Sequence, residues 1–167
     1  MTRTLKIFLA DMDRFRREET GYQWIQGTKT QTLAYGLNDS PAGLAAWIVE
    51  KFRTWSDCSG DIERRFSKDQ LLTNIMIYWV TESINSSTRL YYESRHHPWR
   101  PDPNKPIETP TAAAIFPAEI LRPPRRWAEA SFNIQRWTVM PRGGHFAAME
   151  EPELLAEDIR EFFGGLR

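Results

Sequence analysis

The feature that most constrains this chain is a change of sequence period near residue 108. Before it, apolar residues recur at three- and four-residue steps, the spacing of one helix face. After it, short apolar runs such as TAAAIFP are bounded by turn residues, and a single amphipathic stretch closes the chain. The front therefore predicts helices, and the back predicts strand, partial helix, strand and helix. Such a back half resembles the last units of an open parallel sheet. A purely parallel sheet needs helices on both faces and more than two strands. Only two strands are legible, so part of the core is expected to be missing from these residues.

Individual elements follow from local signals. Leu5, Phe8, Leu9, Met12 and Phe15 predict a helix over 3–19, which Gly21 can stop. Residues 22–39 are less regular, with a short helix expected over 32–37. Ser40 and Pro41 fit the cap and first position of a helix over 41–55. Ser67 and Gln70 form a capping box, and Phe66 can staple onto Leu71. Leu71, Leu72, Ile75, Met76, Trp79 and Val80 are expected to be the buried side of that helix. A further helix is expected over 84–93. Residues 94–110 hold five prolines and read as a connector. Strands are expected over 111–117 and 133–140. Pro152 opens a last helix with Leu154, Leu155, Ile159, Phe162 and Phe163 on one face, stopped by Gly164 and Gly165. The expected division is a helical region, 1–107, and a strand-bearing region, 108–167.

Composition excludes several classes of protein. Lys plus Arg number 22 and Asp plus Glu number 22, so no basic excess marks a nucleic-acid surface. A single cysteine, Cys58, excludes an internal disulfide and a cysteine metal cluster; its polar surroundings read it as an incidental thiol. With three histidines, two of them adjacent, no zinc pattern emerges, and no cofactor is expected. No apolar run approaches the roughly 20 residues of a membrane span, and no signal peptide is expected. A cytoplasmic, soluble protein is the expectation.

His145 is the strongest candidate for chemistry. It lies in GGHF, after an expected strand and before an expected helix. Ligands of open α/β sheets sit beyond the carboxyl ends of strands, and an imidazole can move protons near neutrality. Glu119 follows the other strand by two residues past Pro117, also at a carboxyl end. An acid there can orient a histidine and stabilise its charged form. Acid then histidine is also the order of an α/β-hydrolase triad. The carboxylates Glu150, Glu151, Glu153, Glu157, Asp158 and Glu161 read mostly as the solvated face of the last helix. Arg122, Arg125, Arg126 and Arg136 are expected to pair with them.

Several long stretches carry a resemblance. GYQWIQGTKTQTLAYGLNDSPAGLAAWIVEKFRTW, FSKDQLLTNIMIYW, FPAE and RGGHFAAMEEPELLAEDIREFF, in that order, resemble the microsomal-type epoxide hydrolases and their bacterial relatives. The likeness covers nearly all of the chain from Gly21 onward. It implies the C-terminal part of an α/β-hydrolase fold: a helical lid, then two parallel strands and a terminal helix. It also implies a two-step reaction in which an aspartate attacks an epoxide and a histidine then activates water to free the diol. By the same resemblance, Tyr22 of GY and Tyr91 of RLYYE match the lid tyrosines that hold the epoxide oxygen. Tyr92 is a neighbour that can be confused with Tyr91. Glu119 matches the acidic partner and His145 the general base.

One part of the family pattern is absent. No strand–turn–helix is present to carry the nucleophilic aspartate or the oxyanion donors. Asp11 and Asp13 lie in an expected helix, Asp39 most simply caps the next helix, and Asp57 and Asp61 fall in a loop. The chain is therefore expected to be inactive alone. Its expected partners are a small hydrophobic epoxide if a complete site is assembled, a complementing N-terminal half, or further copies of itself. Two alternatives remain: a non-catalytic small-molecule or protein-binding remnant of the fold, and a fragment of another α/β-hydrolase.

Overall fold

The structure, a computed structural model, describes residues 3–102 and 104–166. The chain divides into two units. One comprises the described residues up to Asp13, Trp55–Ser59 and those from Arg100 onward; the other comprises Arg14–Thr54 and Gly60–Trp99. The division after Trp99 falls within the proline-rich connector. Sequence period alone gave no sign that the loop at Trp55–Ser59 clusters with the strands.

The first helix, α1, runs Arg3–Glu18. In the helical unit it is followed by α2 (Gly21–Gln26), α3 (Thr30–Asp39), α4 (Pro41–Trp55), α5 (Lys68–Val80) and α6 (Ile84–His96). The core is a cluster of Leu37, Leu44, Ile75 and Ile84, with Leu33, Trp47, Ile48 and Trp79 packed around it. Leu44 is 0 % exposed. The start of α4 is set as its sequence implies, because the Gly43 amide donates to Ser40 Oγ at 3.0 Å. Ser40 therefore caps, and Asp39 is the last residue of α3. The capping box on α5 is complete. Ser67 Oγ accepts from the Gln70 amide at 3.2 Å, and Gln70 Oε1 accepts from the Ser67 amide at 2.8 Å. Phe66 and Leu71, the residues of the expected staple, are both buried.

Two helical expectations are corrected. Gly21 does not end a helix; it opens α2, after the α1 backbone has already stopped at Glu18. On α5 only Leu71 and Ile75 are buried, whereas Leu72, Met76 and Val80 are exposed. The apolar positions of α5 run nearly all the way round it, so period could not say which side faces the cluster.

The other unit is built on two parallel strands, β1 (Ile107–Ile115) and β2 (Phe132–Val139). Their register runs from Ala112 opposite Arg136 to Ile115 opposite Val139. β1 begins earlier than the apolar run and passes through Pro110, where the register shifts. Proline lacks the N–H that a ladder needs, so an irregularity in an outer strand is where it is tolerated. Between the strands lies α7 (Arg125–Glu129), and after them α8 (Ala147–Glu150) and α9 (Pro152–Gly164).

Burial divides the late carboxylates expected on a solvated face: Glu153, Glu157 and Glu161 are exposed, but the other three are not. Glu150 is 9 %, Glu151 4 % and Asp158 6 % exposed. Asp158 ties α9 to β2 by accepting from Arg136 Nε at 2.7 Å and Thr138 Oγ1 at 2.6 Å. Arg136 also pairs with Glu161. Conversely, Ile159 and Phe163, expected on the packed face, are exposed. Alternation along β2 sends Trp137 and Val139 to the opposite face. There, with Ile115, Leu5 and Trp127, they line an apolar cleft of about 650 Å³. Cys58 lies in a loop, as expected, and is buried there at 1 % exposure.

The capping box generates a direct prediction. Ser67→Ala removes the acceptor for the Gln70 amide and should cost about 1 kcal/mol. A urea titration should show a lower midpoint at an unchanged slope.

Candidate functional site

The strand-bearing unit places Glu119 and His145 on two loops that leave the same end of the sheet. Beyond the strands themselves, Ala118 and Gly144 form a further parallel bridge, and the Ala118 amide donates to the Gly143 carbonyl at 3.0 Å. The two loops are thus joined by backbone before any side chain is considered.

The glycines of RGGHF answer two separate demands. Gly143 has φ +100°, a region that side chains with a Cβ rarely occupy. A Cβ there would also lie 2.7 Å from Phe116 Cδ1. Gly144 is limited by space: its Cβ would meet the Trp55 carbonyl oxygen at 2.6 Å and the Asp57 amide nitrogen at 3.0 Å. This close approach lets the His145 amide donate to the Trp55 carbonyl at 2.9 Å. The imidazole lies edge-to-face with the rings of Trp55 and Phe146, each with centroids 5.2 Å away. Arg142 at the head of the loop pairs with Glu151 at 2.8 Å.

His145 Nδ1 lies 2.8 Å from Glu119 Oε1. A carboxylate only accepts, so Nδ1 carries a proton, and in the neutral ring Nε2 then keeps the lone pair. Glu119 Oε1 also accepts from the Ile120 amide at 2.6 Å. Partial burial pushes the Glu119 carboxyl up. The hydrogen bond with His145, the Ile120 amide and the attraction of His145 together outweigh it, holding the group below its ordinary 4.5. The pair is therefore an ionised acid beside a histidine whose proton it orients. This arrangement supports general base catalysis at Nε2.

The helical unit brings the two expected tyrosines together. The rings of Tyr22, in α2, and Tyr91, in α6, meet edge-to-face with centroids 5.6 Å apart. Tyr92 instead stacks on His96 at 4.0 Å. Tyr22 Oη accepts from Gln23 Nε2 at 2.9 Å, and Lys51 Nζ stands 5.3 Å from its ring centre. Burial pushes the Tyr91 hydroxyl above its ordinary 10.0, and Tyr22 and Tyr78 add to this, while a hydrogen bond with Gln26 pulls it down. A phenol held above 10.0 keeps its proton at neutral pH, so Tyr91 is able to donate.

Sequence reasoning missed the part that Trp55, Asp57 and Glu150 play here, although it placed Asp57 in a loop and Glu150 on a solvated face. Asp57 Oδ2 accepts from the Gly143 amide at 3.0 Å, and Glu150 accepts from the amides of Asp57 and Phe146 at 2.8 and 3.0 Å. The only local signal was an acidic pair just before Pro152. Nothing local couples residue 57 to residue 143. Asp11, weighed earlier as a nucleophile, pairs with Arg122 at 3.0 Å. Among the described residues no group of three or more His, Cys, Asp or Glu is arranged to hold a metal ion. No described helix is long and apolar enough to cross a membrane.

No family model matches the chain. Curated proteins and solved structures do. Epoxide hydrolase 1 of Sus scrofa is 47 % identical over 155 residues, covering 87 % of this chain and 34 % of that protein. The crystal structure of juvenile hormone epoxide hydrolase from the silkworm Bombyx mori superposes with a TM-score of 0.87 at 36 % identity, covering 99 % of this chain and 42 % of that one. The structure of Aspergillus niger epoxide hydrolase gives 0.86 at 27 % identity, over 100 % and 41 %. The chain spans about a third of the length of the curated relatives it matches.

Two predictions arise from the site. Glu119 is lowered in the folded state, so its contribution to stability is present above 4.5 and lost as pH falls through the lowered value. Glu119→Gln should therefore flatten the acid limb of a stability-versus-pH curve measured by denaturant unfolding. Gly143→Ala forces both a Cβ clash and an unfavourable φ, and should destabilise the protein by about 1–3 kcal/mol. Thermal unfolding of the variant would read that loss.

Proposed function

The chain belongs to the epoxide hydrolase family of α/β-hydrolases, and from that premise we propose that it supplies the proton-transfer groups of an epoxide-to-diol hydrolysis. The observation that carries this is the Glu119–His145 pair at 2.8 Å, with Nδ1 held by the acid and Nε2 left as the base. Residues 1–107 would serve as the lid and residues 108–167 as the closing segment of the core.

The chemistry runs in two steps. A carboxylate attacks an epoxide carbon, the carbon–oxygen bond breaks, and an ester forms. Tyr22 and Tyr91 hydrogen-bond the departing oxygen and one of them gives it a proton. Preorganised neutral donors stabilise negative charge where it develops. In the second step Nε2 of His145 takes a proton from water, and the resulting hydroxide adds to the ester carbonyl. The ester bond breaks, the carboxylate is regenerated and the diol leaves; the proton taken by His145 is released to solvent, and the tyrosinate left by the first step takes one up. Ionised Glu119 stabilises the imidazolium that forms meanwhile.

The attacking carboxylate is assigned to a segment outside these 167 residues. Three aspartates within the chain, two of them weighed above as candidates, have structural duties. Asp11 pairs with Arg122, Asp57 holds the Gly143 amide, and Asp158 binds Arg136 and Thr138. The substrate class would be small hydrophobic epoxides.

Co-expression with the N-terminal two thirds of the Sus scrofa relative tests this. Styrene oxide should be converted to its diol by the pair and by neither part alone. Tyr91→Phe should lower the rate about a hundredfold to a thousandfold, and His145→Ala should leave ester that accumulates on the partner. A co-purifying pair that makes no diol and traps no ester would sink the assignment. Conversion by this chain alone, at enzymatic rates, would sink the placement of the nucleophile.

A further inference from the structure

We propose that Glu150 is a positioning residue for His145, working through Asp57 and the Trp55 carbonyl. The inference rests on His145 being the general base.

Glu150 is 9 % exposed, and a buried carboxylate is costly unless hydrogen bonds replace its water. Its two oxygens are spent on two separate segments. Oε2 accepts from the Asp57 amide at 2.8 Å, and Oε1 accepts from the Phe146 amide at 3.0 Å. Asp57 then reaches back with Oδ2 to the Gly143 amide at 3.0 Å. The result is a closed ring: Glu150, Asp57, Gly143, the chain through Gly144 and His145, Phe146, and Glu150 again. His145 sits inside it with its own amide on the Trp55 carbonyl at 2.9 Å. The backbone amides of Gly143, His145 and Phe146 all donate into this assembly.

None of these bonds touches the imidazole, so Glu150 does not act as a proton carrier. It fixes the backbone from which the imidazole projects. The Glu119 contact requires Nδ1 to arrive within hydrogen-bond range of one carboxylate oxygen, and small displacements weaken it steeply. A second carboxylate, four residues beyond Phe146 in the chain, thus governs how well the first can orient the histidine. The demand for two oxygens also explains the residue type. Glutamine offers one acceptor, and its amide group would face one of the two amides as a second donor.

Nuclear magnetic resonance of the whole chain, labelled at histidine, reads this without reference to turnover. Wild type should show a downfield His145 Nδ1 proton that Glu119→Gln abolishes. Glu150→Gln should shift or broaden that proton and displace the His145 titration midpoint. It should also raise hydrogen exchange at the His145 amide several-fold to about tenfold, as loss of one ordinary hydrogen bond implies. Glu150→Asp should restore part of the signal, and Glu153→Gln, on the exposed side of α9, should change nothing. Asp57→Ala breaks the same ring at another point and decides the matter if Glu150→Gln does not fold. An unaltered Nδ1 proton and titration in Glu150→Gln and Asp57→Ala would overturn the inference. Failure to form diol would bear on the proposed function alone, since no part of this readout uses an epoxide.

Discussion

The strand-bearing unit depends on a close backbone approach between residues that are far apart in the chain. Gly144 lies so near the Trp55 carbonyl and the Asp57 amide that a single added carbon has no room. Everything at the His145 end of the sheet follows from that proximity. The Trp55 carbonyl becomes the acceptor for the His145 amide, and the Asp57 carboxylate becomes the acceptor for Gly143. A glycine is normally a liability, because it surrenders more freedom on folding than any other residue. Here two in succession are retained, one for its φ and one for its lack of volume.

The parallel sheet turns this local packing into a chemical arrangement. Parallel strands send their following loops out of the same end, which antiparallel neighbours do not. Glu119 follows β1 and His145 follows β2, and the Ala118–Gly144 bridge continues the ladder into the loops. The acid and the base are thus registered to each other by backbone. Their side chains need only close the last 2.8 Å. This division of labour suits a pair that must orient a proton, because the soft torsions are few and the stiff framework does most of the aiming.

How much of this was legible depended on the distance over which each signal acts. Signals within four residues were read well: Ser40 with Pro41 set the start of α4, and Ser67 with Gln70 made the capping box. Signals of period alone failed where both faces were apolar, as on α5, or where a charged residue was buried, as with Asp158 on α9. The strand at β1 was placed too late because Pro110 reads as a boundary, although a register shift accommodates it. His145 and Glu119 were visible as residue types at the carboxyl ends of expected strands, and Tyr22 and Tyr91 only through resemblance. Glu150, Asp57 and Trp55 were invisible as a group, since the bonds joining them span up to 93 residues.

The misread carboxylates carry a more general point about sites of this kind. Glu150, Glu151 and Asp158 read as part of a solvated helix face because acidic side chains are mostly exposed. Each is instead buried against donors: two backbone amides, the Arg142 guanidinium, or Arg136 together with Thr138. Burying three acids in so small a unit is unfavourable unless every oxygen is supplied, and it gives a sequence no periodic advantage. What it does give is direction. An apolar contact holds a surface at a distance but permits sliding, whereas a carboxylate bridging two amides fixes both. Under the proposed reaction Nε2 of His145 must meet a water molecule at a defined point beside an ester. Buried acids that bridge backbone segments, rather than a larger apolar core, are what such a requirement selects.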